Sequence, residues 1–203
     1  KINHLQIPAG ITGQKKTASK DSVKVAEQPG YDLAIPPGWT TEKISFPIEF
    51  APQINYKGVE ELRFAPGWGK KGDQQYWSYA FLWWLENDPA INEEALEKDL
   101  TAYYNGLVNV NITERKIPSI KTVPTVVKVN KINTAAGDIA TYSGTINMLD
   151  YMIPAPMTLN SIIHVRACQL KKRTAVFFEM SPQQVDHAIW KEFDDIIKGL
   201  ACE

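Results

Sequence analysis

Apolar and polar positions along the chain change period several times, and each change marks an element. Between Tyr76 and Trp84 six of nine residues are aromatic, and both alternating faces carry large side chains. Trp77, Tyr79, Phe81 and Trp83 fall on one face and Tyr76, Leu82 and Trp84 on the other. A strand apolar on both faces is covered on both faces, so this stretch, running from Gln74 to Leu85, is expected to be central in a sheet. Upstream, Ile44, Phe46, Ile48 and Phe50 alternate through Pro47, which predicts an edge or bent strand over Thr40–Phe50. Gly58–Phe64 is a second short strand, and the glycine-rich segment Gly67–Asp73 joins it to the aromatic strand as a hairpin loop.

The period then lengthens to that of a helix. Asn92 is a suitable N-cap, Glu93, Glu94 and Glu97 favour the positive end of the dipole, and Ile91 with Leu96 makes a hydrophobic staple. Leu96, Leu100, Tyr103, Tyr104 and Leu107 form the apolar stripe, with an end expected near Val110. Strand periodicity returns over Val126–Ile132, Ile139–Met148, Met157–Leu170 and Thr174–Met180, separated by short turns. Ser181 to Gln184 reads as a capping box opening a last helix, whose stripe is Val185, Ile189, Phe193, Ile196, Ile197 and Leu200. The order of elements predicts an α+β domain: a largely antiparallel sheet of six or seven strands with two helices packed on it. Residues 31–203 form that single domain in this reading, and residues 1–30, with five lysines and little apolar periodicity, form a polar tail.

Bulk composition narrows the function classes. The chain has 203 residues, of which 44% are hydrophobic and 22% charged, enough to bury a core without a metal or disulfide. Twenty-two basic against 23 acidic residues leave a formal charge of −1, which argues against nucleic acid as a partner. No apolar run approaches the ~20 residues of a membrane span. The start at Lys1 rather than Met, followed by a lysine-rich segment, points to an exported, periplasmic or cell-surface protein with a leader or anchor outside these residues. The two cysteines, Cys168 and Cys202, lack metal-ligand spacing. They are read as free, partly buried thiols; the alternative is a disulfide tying the last helix to the sheet, which would stabilise by about 3 to 4 kcal/mol.

Two stretches resemble the PsbP/Mog-type α/β/α sandwich, a fold also found in uncharacterised exported bacterial domains. One is Tyr31–Trp39, with its Ile-Pro-Pro-Gly-Trp. The other runs from Phe177 through Pro182 into the helix Ile189–Leu200. The resemblance implies the layered fold and carries over no functional residue.

There is no nucleophile elbow, Walker loop, dinucleotide fingerprint or His-Glu-x-x-His, and His4, His164 and His187 show no metal spacing, so no catalytic residue, metal ligand or cofactor is assigned. The Gly67–Gly72 loop, despite Lys70 and Lys71, lacks the helix that would hold a phosphate. Asn111-Ile-Thr113 fits a glycosylation sequon. What remains is the aromatic concentration: five of six tryptophans lie between Trp39 and Trp84. Trp68, Trp77, Tyr79 and Trp83 are therefore the candidate ligand-binding residues, lining a groove for a small molecule or protein partner unless they form the core under a helix. The expected function is an exported, non-enzymatic binding module. The alternatives are a hydrolase-type enzyme assembled from His164, Glu179 and Ser161, and a structural or assembly protein.

Overall fold

A computed structural model describes residues 30–200; the reading of residues 1–30 as a tail falls almost wholly outside them, as does Cys202. Seven strands form one antiparallel sheet in the order β1-β2-β3-β7-β6-β5-β4. They are β1 (Thr40–Ser45), β2 (Gly58–Phe64), β3 (Tyr79–Glu86), β4 (Val126–Lys131), β5 (Ala140–Asp150), β6 (Ala155–Cys168) and β7 (Arg173–Ser181). Helix α1 (Glu93–Glu114) follows β3 and α2 (Ala188–Lys198) follows β7. The α+β architecture expected from the periodicity is the observed one. Only the β3–β7 pair joins strands that are not consecutive; α1 carries the chain from the centre of the sheet to its far edge at β4.

The two faces bury separate cores. Under α1 lie Phe81, Trp83, Leu85, Ile163, Val176 and Phe178, with Leu96, Leu100, Tyr103 and Leu107 from the helix. Under α2 lie Leu82, Trp84, Ala175 and Phe177, with Ile189, Phe193, Ile196 and Ile197. The inner strands β3, β6 and β7 therefore feed both layers at period two. The segment 30–39 is drawn onto the α2 face by Arg63, whose guanidinium, almost wholly buried, donates to the carbonyls of Leu33 (2.8 Å) and Ala34 (3.0 Å) and to Glu61 (2.6 Å).

Several elements depart from the sequence expectation for identifiable reasons. Strand β1 ends at Ser45 before a cis Phe46–Pro47 bond. The following residues 46–57 leave the sheet edge and lie across the α1 face as a strap that buries Ile48, Phe50, Ala51 and Ile54. The strap runs so close to α1 that a Cβ on Gly106 would stand 1.8 Å from the Phe50 carbonyl oxygen, so only glycine fits. Strand β3 begins at Tyr79, not Gln74, because Trp77 adopts φ 56°, a left-handed conformation costly for a bulky residue. Tyr76 consequently packs on the α1 side rather than with Leu82 and Trp84.

Helix α1 runs one turn beyond Val110. Asn111 is buried and satisfied inside it, donating to Leu107 O (3.0 Å) and accepting from Arg115 Nε (2.9 Å), which closes the sequon to glycosylation in the folded chain. The expected capping box is instead a serine turn: Ser181 still belongs to β7, its Oγ accepts from Gln183 N (3.1 Å), and α2 is capped by His187 Nδ1. Val185 is then exposed rather than part of the stripe. Cys168 is fully buried and disulfide-bonded, not a free thiol. It closes β6 beside the C-terminal end of α2, where Arg166 donates to the carbonyls of Ile197 (3.2 Å) and Leu200 (2.9 Å).

Candidate functional site

The four aromatic residues singled out from the sequence lie in the core. Trp68 is 5% exposed, Tyr79 1%, and Trp77 and Trp83 not at all. Their face of β3 meets α1 and the strap, with Phe81 stacked on Tyr103 (5.5 Å) and Phe178 (4.4 Å). Rings that large fill the space between sheet and helix, and a ligand would reach them only by displacing the strap or α1. The indole N–H groups of Trp77 and Trp83 are turned to buried carboxylates, and Tyr79 OH pairs with Tyr104 OH. Asp150 accepts from Trp77 Nε1 (3.1 Å), Tyr76 OH (2.8 Å) and the amides of Met152 and Ile153. Glu60 accepts from Trp83 Nε1 (2.7 Å) and Tyr103 OH (3.0 Å).

The residues of the enzyme alternative are only partly brought together. His164 Nδ1 lies 2.7 Å from Asp138, and its Nε2 stands 3.5 Å from Glu179, an ion-pair contact rather than an aligned hydrogen bond. Arg166 takes the other Asp138 oxygen at 3.0 Å, and Thr141 donates to Asp138 at 2.7 Å. Burial works to lower the His164 pKa, but the two carboxylates outweigh it and push it up to about 9, so the ring is a cation at neutral pH. A sealed imidazolium has no lone pair to act as a base. Ser161 belongs to the other side: with strand partners alternating, its neighbours Leu159 and Ile163 are in the α1 core while His164 faces away from it. Ser161 is therefore not beside the ring, and the hydroxyl that is, that of Thr141 on the neighbouring strand, is engaged with Asp138.

Open space occurs elsewhere. A cleft of about 400 Å³ lies between the end of the glycine-rich loop and the start of α2, lined by Asp73, Gln74, Gln75, His187, Ala188, Ile189 and Glu192. Local chemistry builds it. The Asp73 carboxylate packs against Gly67, where a Cβ would stand 2.2 Å from its Oδ1, and it accepts from Gln75 N at 2.9 Å. Gln75 in turn accepts from Gly67 N and donates to Glu192 (3.4 Å), which also accepts from Trp39 Nε1 (3.2 Å). Gln183 donates to Gln74 O (2.7 Å), tying the turn before α2 to the same loop. Two carboxylates and one imidazole thus converge from segments more than a hundred residues apart. Among the described residues no group of three or more His, Cys, Asp or Glu is placed to hold a metal ion. None of the cleft residues is a binding candidate from the sequence, where His187 is weighed only as a metal ligand and Ile189 only as part of the helix stripe, because the cleft forms only when α2 begins at Ala188 with His187 at its cap.

No protein-family model, curated protein or solved structure matches the chain, so the site is read from its own geometry. Among the described residues no helix is long and apolar enough to cross a membrane.

Proposed function

We propose that the chain is a binding module of an exported protein, and that its ligand is a cationic group, an amine or guanidinium, held in the cleft between Asp73 and Glu192. The observation that carries this reading is the cleft itself. It has the size of a small-molecule pocket, and two carboxylates already oriented by Gln75, Trp39 and Gly67 face one opening. Preorganised carboxylates bind a cation without first giving up side-chain freedom. Recognition then rests on charge at the loop and α2, not on the aromatic surface expected from the sequence, since those rings are occupied by packing. The disulfide at Cys168 supports an oxidising, exported location.

Calorimetric titration at low salt with a panel of polyamines and arginine- or lysine-containing peptides tests the reading. At least one should bind, with affinity falling as ionic strength rises and falling about tenfold or more in Asp73→Asn/Glu192→Gln. Equal affinity in that variant, or silence across the panel, would overturn it.

A further inference from the structure

We propose that Glu60 is a proton-operated latch: with its carboxyl protonated the strap 46–57 stays closed on the α1 face, and its ionisation loosens the strap and exposes the aromatic cluster beneath. The geometry is unusual for an acidic side chain. Glu60 is wholly buried in β2, and both of its oxygens are held by neutral donors, Trp83 Nε1 from β3 and Tyr103 OH from α1. No cation lies within salt-bridge distance of it among the described residues. A buried carboxylate without a cation is poorly compensated by two hydrogen bonds.

The groups around it do not relieve the charge. Glu42 on β1 adds a like charge. Tyr103 on α1 is a neutral phenol held far above its ordinary range by burial and by Glu60. One turn earlier on α1, Asp99 is itself raised by burial, partly offset by the Tyr56 hydroxyl that donates to it at 2.6 Å and by Lys98. Burial pushes the Glu60 carboxyl up from 4.5 to about 7, against the opposing pull of Trp83 and Tyr103.

The strap is the element placed to respond. Phe46 and Tyr56, at its two ends, pack on the Trp83 ring at 5.7 and 6.0 Å, and Phe50 packs on Tyr103 at 5.0 Å. Its backbone bonds are few: Ala51 N to Ile48 O and Ile54 N to Ala51 O within it, with Phe46 N to Gly58 O and Glu86 N to Lys57 O at its two ends. Water admitted to Glu60 by lifting the strap restores an ordinary carboxylate, so opening becomes more favourable as pH rises from 4.5 toward 7 and levels off above it.

Amide hydrogen exchange, corrected for intrinsic rates, tests the latch on the intact chain. The Phe46, Ala51 and Ile54 amides should open roughly 50- to 100-fold more readily at pH 8 than at pH 5, while those β5 and β6 amides that exchange by local fluctuation, without exposing Glu60, do not share the rise. In Glu60→Gln, whose amide still accepts from Trp83 and donates to the Tyr103 oxygen, the strap profile should be flat. Tyr103→Phe, which removes one donor to the carboxylate, should leave the onset of the wild-type rise unchanged and extend the rise to higher pH before it levels off. A wild-type profile flat with pH, a rise shared equally by those β5 and β6 amides, or a rise that persists in Glu60→Gln would overturn the proposal.

Discussion

The two faces of the sheet solve the same electrostatic problem in opposite ways. Under α1, Glu60 is surrounded by aromatic rings and held only by an indole N–H and a phenol O–H. On the α2 face, Asp138 is held by an imidazolium and a guanidinium, and Glu179 stands against the same imidazolium. Neutral donors leave the carboxyl pushed up to about 7, whereas the cations hold Asp138 below its ordinary value despite its burial. A buried carboxyl group is therefore not one kind of object: closely bonded cations hold Asp138 below its ordinary value, whereas Glu179, with only the 3.5 Å contact to the imidazolium, is still raised by burial.

The difference fixes signs. Glu60 has a folded pKa above the unfolded one, so its contribution is most favourable below about 4.5 and is lost as pH rises through about 7. His164 is also raised, and its contribution is full below about 6.5 and lost as pH rises through about 9. Asp138 is lowered, so its contribution is present above about 3.8 and is lost in acid. The His164 and Asp138 contributions are thus both present in full between about pH 3.8 and 6.5, whereas the Glu60 contribution is lost between about pH 4.5 and 7.

Variants can break the comparison, the largest effect first. Trp83→Ala removes a wholly buried ring and one of the two Glu60 donors, and should cost about 4 to 5 kcal/mol in denaturant unfolding. Asp138→Ala leaves the buried His164 and the half-buried Arg166 without their shared partner; a loss of about 3 kcal/mol at pH 7, shrinking toward pH 3, is expected from urea midpoints. Glu60→Gln should act with the opposite sign, stabilising by roughly 2 to 3 kcal/mol at pH 8 and by almost nothing at pH 4. Smallest of all, Asp195→Asn breaks the Lys191 and Lys198 contacts on the solvent side of α2 and should leave the melting temperature unchanged, because exposed pairs of this kind contribute little.

What the chain disclosed in advance follows the reach of each signal. Strand β2, the Asn92 cap and the stripe Ile189–Leu200 rest on local periodicity and capping, and they appear where the pattern places them. Ser181-Pro-Gln-Gln184 also has the local signature of a helix start, yet Ser181 is the last residue of β7, and pairing with Asn160 across the sheet outweighs the cap. The start of β3 was obscured similarly: Trp77 looks like a strand residue until Asp150, 73 residues away, takes its indole N–H and a left-handed turn becomes affordable. Concentrated tryptophan suggested a surface, but the strap that covers it gives only a broken alternation around Pro47. His164 and Glu179 could be paired from the expected neighbouring strands, whereas Asp138 sits in a turn and Glu60 was one of two adjacent glutamates with nothing to mark it as the buried one. Long-range contact, not composition, distinguishes Glu60 from Glu61, which faces Tyr31, Lys43 and Arg63.

The most direct test of the contrast between the faces is a carbon-13 NMR titration of the side-chain carboxyls from pH 3 to 9. Glu60 should titrate near 7, well above the ordinary glutamate range, while Asp138 should stay ionised to below about 3.8. A Glu60 midpoint at or below 4.5, or an Asp138 midpoint above its ordinary value, would contradict the claim that neutral and cationic partners separate the two faces.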